Sequence, residues 1–204
     1  MTRSDTLKKN DKRYHHGDLR DALLEAIRML VERDGADNFK ISEACRIAGV
    51  TTAAPYKHFR DRDDILRAVA LAGMQRFGKR MSDASQEHDP GMPKRIEALG
   101  QAYLDFAEAE PGIFRMMFGL SEHHAGDPEL EETGKATTDL LESVVAEHLN
   151  LPPESTEVRL RSYALWCFVH GHCFLRMDGK FAEKYGQLEE TEILAAVGKA
   201  MMRV

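Results

Sequence analysis

The sequence predicts an all-α protein in which a small three-helix unit at the N-terminus is joined to a larger helical body. Apolar residues recur at three- and four-residue spacing through most of the chain, as they do on the buried face of a helix. Aromatic residues make up only 7% of the 204 residues and methionine is frequent, a composition that favours helices over a β-sandwich. No segment shows the pattern of a strand.

Charge is distributed unevenly along the chain. The formal net charge is −6, yet residues 1–62 carry more Lys and Arg than Asp and Glu, so the acidic excess lies in the remainder. Basic side chains crowd the polar tail at residues 1–13, which is predicted to be flexible. A basic N-terminal part joined to an acidic remainder is typical of a protein that contacts phosphate groups at one end only.

Several classes of protein are disfavoured. No stretch reaches the roughly 20 apolar residues of a transmembrane helix, and the charged N-terminus lacks the apolar core of a signal peptide. The three cysteines, Cys45, Cys167 and Cys173, are odd in number and show no CxxC spacing, so no disulfide framework is expected. The sequence therefore predicts a cytoplasmic protein without a membrane partner.

Three short helices are predicted in the N-terminal unit. They cover about residues 17–34, 41–48 and 51–59, by apolar periodicity and by the glycines that close the first two. The last two are separated only by Gly49 and Val50, where glycine suits a backbone with positive φ. Two helices joined by so short a turn form a helix-turn-helix, whose second helix presents its N-terminal residues to the major groove of DNA.

The segment from Phe39 to Ala70 resembles the DNA-binding segment of the tetracycline-repressor (TetR) family. The shared motifs are Ala48-Gly49-Val50-Thr51, Tyr56-Lys57-His58-Phe59 and Ile65-Leu66. The resemblance implies that Tyr56, His58 and Arg62 contact phosphates. Lys40 stands where the family usually has a Ser or Thr cap, which weakens the cap but offers a cation to phosphate.

The chain is also similar to one branch of that family. Residues 14–20 are similar to the opening of the branch, and Trp166, His170 and Gly171 match its tryptophan–histidine–glycine mark in the C-terminal domain. These resemblances imply a ligand-responsive transcriptional regulator that binds a double-stranded DNA operator as a homodimer. They favour a repressor that a small-molecule inducer releases, and they imply neither a cofactor nor catalysis.

The residues expected to contact DNA lie in the third predicted helix and beside it. The start of that helix carries short side chains suited to base edges, and its end carries groups suited to phosphate. The expected contacts are Thr51, Thr52, Ala53, Ala54, Tyr56, Lys57, His58, Arg62, Lys40, His15 and His16.

The body is predicted to be helical to its end. The DNA-binding domain is placed at residues 14–62 and the ligand-binding and dimerisation domain at residues 63–204. A linking helix from Arg62 to about Arg80 is followed by a polar loop, and the later helices are expected near 93–109, 113–118, 128–148, 155–177 and 189–203. The resemblance implies that the last two form a four-helix dimer interface, with the apolar residues Leu165, Val169, Ile193, Leu194, Val197 and Met201.

Aromatic and methionine side chains of the body are candidates for an adaptable ligand cavity. Packing in the core is the alternative for each of them. The candidates are Tyr103, Phe106, Phe114, Met117, Phe118, Trp166 and His170.

Cys167, His170 and Cys173 raise two further hypotheses. Their spacing on one predicted helix resembles a thiolate–imidazole metal or redox site. A thiol–imidazole pair also suits an all-helical enzyme. No fourth ligand follows at a typical spacing, and no nucleophile, phosphate-loop or zinc-helix motif occurs, so neither a metal nor catalysis is predicted.

Overall fold

The computed structural model describes residues 16–119 and 127–202, and all regular structure within these ranges is helical, which confirms the predicted fold class. No helix in the described ranges is long and apolar enough to cross a membrane. The predicted basic tail lies outside them. The α-helices are α1 (His16–Asp34), α2 (Ile41–Ile47), α3 (Arg62–Ser85), α4 (Pro93–Ala109), α5 (Pro111–Gly119), α6 (Pro128–Leu149), α7 (Thr156–Met177), α8 (Lys180–Tyr185) and α9 (Glu190–Met201).

Apolar side chains of α1 hold the head together. Leu23, Ile27 and Val31 recur at helical spacing and are almost fully buried. They share one core with Phe39, which precedes α2, and Phe59, which precedes α3. Burial of side chains of this size contributes about 1.5–3 kcal/mol each, so packing fixes α1 against the segments on either side of the turn.

The chain turns sharply after α2, as the sequence predicts. Gly49 has a φ of 70°, a conformation that glycine adopts without a steric penalty. The amide of Val50 donates to the carbonyl of Cys45 (2.8 Å) and the amide of Gly49 to that of Arg46 (3.3 Å). This is the hydrogen-bond pattern of a Schellman motif, and it fixes the direction in which the chain leaves α2.

In place of the predicted third α-helix, residues 51–59 form consecutive tight turns with a 3-10 helix at Pro55–Lys57. The amide of Ala54 donates to the carbonyl of Thr51 (3.0 Å), and that of His58 donates to Pro55 (2.9 Å). Pro55 has no amide proton with which to continue an α-helical ladder from Thr51. Thr51 and Thr52 are β-branched and add little helix propensity. The segment therefore winds more tightly than an α-helix.

Helix α3 belongs to both parts of the molecule. It begins at Arg62, where the side chain of Asp61 accepts a hydrogen bond from the amide of Asp64 (2.8 Å). Ile65 near its start is buried in the head, and Phe77 farther along is buried in the body. The helix continues to Ser85, beyond the predicted end near Arg80, so a rigid rod joins the turn to the body.

Two ion pairs fasten the body helices to α3. Arg67 pairs with Asp127, whose side chain also caps α6, and these bonds lower the pKa of Asp127 to about 2. Arg76 donates two hydrogen bonds to Glu110, at 3.1 and 2.5 Å, at the joint between α4 and α5. Both carboxyl groups thus connect α3 to the start of another helix.

The C-terminal helices differ from the expectation at one place. The sequence predicts a connecting segment at residues 179–187, but six of these residues form α8 after Gly179, whose φ is 73°. Helix α9 follows and packs on α4 and α7. The body therefore encloses a space bounded chiefly by α3, α4, α6, α7 and α9.

Candidate DNA-binding surface and ligand cavity

The segment after α2 presents an exposed, largely polar surface. Buried Pro55 and Phe59 anchor it, and the side chain of Tyr56 is 59% exposed. Ala54 and His58 are half-buried beside them. The fully exposed expected residues are Thr51, Thr52, Ala53, Tyr56 and Lys57. Most of the expected DNA contacts between residues 51 and 58 thus have side chains that are exposed to solvent on one short segment.

Additional cations lie close to this segment. The guanidinium of Arg20 on α1 lies 5.4 Å from the ring centre of Phe59. Arg60 is 83% exposed and pairs only loosely with Asp64, at 3.6 Å. Sequence reasoning did not include either arginine among the expected DNA contacts. Their positions, near the start of α1 and directly after the Tyr56–Phe59 motif, are signals that could have indicated them.

Lys40 and the two histidines of the opening segment differ in what the structure describes. Lys40 is exposed at the start of α2 and makes no capping hydrogen bond, in agreement with the weak cap inferred from its side chain. His16 is the first residue of α1, and its side chain lies outside the described part of the chain, as does all of His15. Both remain predicted contacts.

Arg62 has an internal role that the sequence did not indicate. Its guanidinium donates hydrogen bonds to the carbonyl oxygens of Ala36 (2.7 Å), Asp37 (3.1 Å) and Phe39 (3.0 Å). It also stacks 4.0 Å from the ring centre of Phe39. The side chain clamps the loop between α1 and α2, so its phosphate contact, which stays a prediction, would have to share the same group.

The clamp predicts that replacement of Arg62 by lysine destabilises the protein by about 1–3 kcal/mol, because an ammonium cannot reproduce the planar fork. The measurement is urea unfolding of the wild type and the variant, followed by circular dichroism. Arg60→Lys, at an exposed position two residues earlier, is the matched control and should change the unfolding free energy by less than about 0.5 kcal/mol. Equal stability of all three proteins would show that Arg62 is not a clamp.

A cavity of about 370 Å³ lies inside the body. Its wall is almost entirely apolar, with aromatic and aliphatic side chains from α3, α4, α7 and α9 and more polar residues from α6. The lining residues are Met74, Phe77, Met81, Ile96, Glu97, Leu99, Gly100, Tyr103, Phe118, Glu131, Gly134, Lys135, Thr137, Thr138, Leu141, Leu165, Trp166, Phe168, Val169, Leu194, Val197 and Gly198.

Three of the seven expected ligand residues, Tyr103, Phe118 and Trp166, line this cavity. Phe106 and Phe114 are fully buried in the core instead. Met117 and His170 are half-buried and do not line the cavity, although the ring of His170 packs 4.7 Å from that of Phe118. Sequence reasoning missed the contribution of α3, because a helix that lines a cavity and one that packs in a core show the same apolar periodicity. It missed that of α6 because most of the lining residues there are polar or small.

Trp166, Tyr103 and His170 form a hydrogen-bonded group at the wall. The indole Nε1 of Trp166 donates to the hydroxyl oxygen of Tyr103 (3.3 Å), which leaves the hydroxyl proton to bond Nδ1 of His170 (2.9 Å). Burial raises the pKa of Tyr103 and lowers the pKa of His170, so both shifts favour the neutral forms of the two side chains. A neutral, satisfied group of this kind orients the aromatic wall.

The cysteines do not assemble with His170. Cys167 is exposed, whereas Cys173 is buried and its pKa is raised to about 12, chiefly by burial. Among the described residues, no three His, Cys, Asp or Glu side chains are grouped closely enough to hold a metal ion. The same helix thus directs the two thiols into different environments.

An apolar stripe lies exposed along α7. Its members follow one another at intervals of three or four residues, which places them on one face of the helix: Leu160, Tyr163, Cys167, Gly171 and Leu175. Leu160 and Tyr163 are each 62% exposed. A stripe of large exposed apolar side chains indicates a surface that another chain covers.

Four of the six residues expected at the dimer interface line the cavity instead: Leu165 and Val169 on the opposite face of α7, and Leu194 and Val197 on α9. Ile193 and Met201 are half-buried and do not line it. Helix α7 therefore has two apolar faces, one toward the cavity and one outward. The apolar pattern alone does not distinguish between them.

A head in which a sharp turn after α2 is followed by a short exposed segment, joined to a helical body with an internal cavity, resembles the architecture of DNA-binding transcriptional regulators. Two family models match the chain. They are described as bacterial regulatory proteins of the tetR family, over residues 23–69, and as the tetracyclin repressor-like C-terminal domain, over residues 96–197, which is half of the chain. The chain belongs to the TetR family.

Individual relatives agree with this assignment. The nucleoid occlusion factor SlmA of Aliivibrio fischeri (strain MJ11) is 30% identical over 101 residues, or 49% of this chain and 51% of that protein, so the match spans about half the length of this relative. A protein of unknown function from Rhodococcus sp. RHA1 has a TM-score of 0.80 at 29% identity and covers 95% of this chain and 98% of its own. The regulator FadR of Bacillus subtilis, in complex with stearoyl-CoA, has a TM-score of 0.64 at 15% identity, covers 89% of this chain and 97% of its own, and shares the fold.

Proposed function

We propose that the protein is a cytoplasmic, homodimeric transcriptional repressor that leaves its DNA operator when a small molecule with an apolar part enters the body cavity. The observation that carries the proposal is the combination of an exposed helix-turn-helix segment and an apolar cavity that share one helix, α3. The proposal assigns no catalytic role. It divides the chain into a basic tail (residues 1–13), a DNA-binding head (14–62) and a ligand-binding and dimerisation body (63–204).

At the DNA, the short side chains of Thr51, Thr52 and Ala53 face base edges, where apolar groups can contact thymine methyls. Tyr56 and Lys57 follow them and contact phosphates, together with His58. The exposure of Tyr56 and Lys57 supports this role, as does the lack of ion pairs to Lys57 and His58 among the described residues. Phosphate contacts position the head but carry no sequence information, so base selectivity depends on the few residues at the start of the segment.

Two copies associate through the outward stripe of α7, with α9 beside it. The exposure of Leu160 and Tyr163 supports this arrangement, because the stripe would be unfavourable in water. In a two-fold interface, each copy contributes the same patch. The two heads then stand about 34–36 Å apart and enter successive major grooves.

In the cavity, Trp166 and Tyr103 form the aromatic wall against which an apolar ligand packs. The stearoyl-CoA bound by Bacillus subtilis FadR supports an elongated apolar guest for this fold. Trp166 and His170 of the tryptophan–histidine–glycine mark share one hydrogen-bonded group with Tyr103, which supports membership of the branch that they mark.

Helix α5 is the element that couples the cavity to the head. Its first amides, Gly112 (2.7 Å) and Ile113 (2.9 Å), donate to the carboxylate of Glu32 on α1. The side chain of Ile113 also packs against Gly73 of α3, so closely that a Cβ added to Gly73 would lie 2.5 Å from the Ile113 side chain. Phe118 at the other end lines the cavity. A ligand that displaces Phe118 would therefore move a helix that is hydrogen-bonded to α1 and packed against α3.

The coupling predicts that Glu32→Ala reduces the effect of a cavity ligand on operator affinity without reducing ligand binding, because the carboxylate that ties α5 to α1 is lost. The measurement compares operator affinity with and without a saturating ligand found by its effect on Trp166 fluorescence. A coupling of 1–3 kcal/mol corresponds to about 5- to 150-fold in the wild type, and about threefold or less is expected in the variant. Glu25→Ala on the exposed side of α1 is the control, and an unchanged response in Glu32→Ala would contradict the coupling.

The proposal is tested by selection of bound sequences from a random DNA pool with the full-length protein. We expect an inverted repeat whose half-sites are about one helical turn apart, because two symmetric heads bind successive grooves. Absence of any enriched sequence would contradict the proposal.

A further inference from the structure

One carboxylate in the cavity wall has no partner. Glu97 on α4 lines the cavity, and no hydrogen bond or ion pair joins its carboxylate to any described residue. It also lines two neighbouring surface grooves, one beside α3 and one beside α9. Its side chain therefore stands where the apolar cavity meets the outside, between α4 and α9.

The remaining charges of the wall do not neutralise Glu97. Lys135 on α6 is bound to Asp139, one turn farther along the same helix. Glu131, also on α6, adds a second, exposed carboxylate. No other Lys, Arg, Asp or Glu is among the described lining residues. The cavity wall thus carries an excess of negative charge, while Arg80 and Lys94 line the groove beside α3 and Lys199 lines the groove beside α9.

Aromatic rings occupy much of the rest of the wall. Five of them line the cavity: Phe77, Tyr103, Phe118, Trp166 and Phe168. Aromatic faces attract cations as well as apolar groups. A carboxylate beside a partly desolvated site is stabilised by a cation that pairs with it. A ligand with a carboxylate or phosphate would instead place like charges together.

The position of Glu97 also fits a ligand that enters from one side. Leu194 on α9 lines both the cavity and the groove beside α3, so its side chain separates the two spaces. A Cβ on Gly100 would lie 2.9 Å from that side chain, which shows how closely α4 and α9 approach. A molecule that enters past Leu194 would leave its polar end beside Glu97.

We propose that the effector is a hydrophobic cation, an amine or quaternary ammonium group on an apolar chain or ring system, with the charge against Glu97 and the apolar part inside the cavity. The statement that this ligand acts as an effector rests on the proposed function. The site itself, formed by the unpaired carboxylate and the aromatic wall, exists independently of the DNA-binding role.

The test uses the single tryptophan of the chain, Trp166, as a reporter in the cavity wall. The full-length protein is titrated below the micelle concentration with decyltrimethylammonium, decanoate and decanol, which share a chain and differ in charge. We expect the cation to bind tightest and the anion weakest. Glu97→Gln is expected to weaken binding of the cation about tenfold and to leave decanol unchanged.

Two variants control for unrelated effects. Glu192→Gln changes an exposed carboxylate on α9 that does not line the cavity, and it should bind the cation like the wild type. Glu97→Lys should reverse the preference in favour of decanoate, which a general loss of folding cannot produce. Equal binding of decanoate and the cation by the wild type, or unweakened cation binding in Glu97→Gln, would overturn the proposal.

Operator binding by the same preparations separates the two proposals. If the protein binds the operator but Glu97 does not favour cations, only the proposed class of ligand is overturned. Glu97-dependent cation binding without operator binding overturns the proposed function and supports the ligand site.

Discussion

Replacement of Tyr56 and His58 together by alanine is expected to lower operator affinity about 10⁴-fold. Each side chain is expected to make one phosphate contact in each of the two heads, and a hydrogen bond to a charged group contributes roughly 1.5 kcal/mol, or about tenfold in affinity for each of the four contacts. Neither side chain hydrogen-bonds another described residue, and Tyr56 is 59% exposed, so the fold should tolerate the change. The measurement is fluorescence anisotropy of labelled operator.

The matched control for this change is Tyr185→Ala on α8, at a tyrosine that is 45% exposed and far along the chain from the head. Its operator affinity should equal that of the wild type. Both variants should remain dimeric in sedimentation experiments. Operator affinity of the Tyr56/His58 variant within twofold of the wild type would remove the segment after α2 from the DNA-binding surface.

Replacement of Leu160 and Tyr163 together by glutamate is expected to convert the dimer into a monomer. Both side chains are exposed on the outward stripe of α7, so glutamate costs the folded monomer little, whereas four carboxylates would meet across a two-fold interface. A monomer engages one half-site at a time. Loss of the second, linked contact typically lowers affinity by a factor of 10²–10⁴, and we expect a loss within that range.

Sedimentation equilibrium measures this change directly. Met92→Glu, at a 49% exposed methionine before α4, is the control and should leave the oligomeric state unchanged. A variant that remains dimeric would show that α7 does not supply the interface.

The sequence predicts the fold of the head well because local signals there agree. Glycine at position 49 is required by a positive φ, and the buried residues of α1 follow one helical period. The tight winding of residues 51–59 escapes prediction, because Pro55 is tolerated in the first turn of an α-helix as well as in a 3-10 turn.

The sites are predicted less completely, for a different physical reason. The clamp formed by Arg62 depends on carbonyl groups more than 20 residues away, and the role of Glu97 depends on α9 passing beside α4. Neither contact leaves a periodic trace in the sequence. Similarly, Phe114 and Phe118 lie on one short apolar helix, yet the first is buried in the core and the second lines the cavity.

The central claim, that the head binds operator DNA by contacts to phosphates, is tested most directly by the salt dependence of operator affinity for the wild type and Lys57→Gln. For the wild type we expect the logarithm of affinity to fall linearly with the logarithm of salt concentration, with a slope on the order of −4 to −8. Lys57→Gln should reduce the slope by about 2, one phosphate contact for each head of the dimer. An affinity that is independent of salt, or a slope that Lys57→Gln leaves unchanged, would contradict the account.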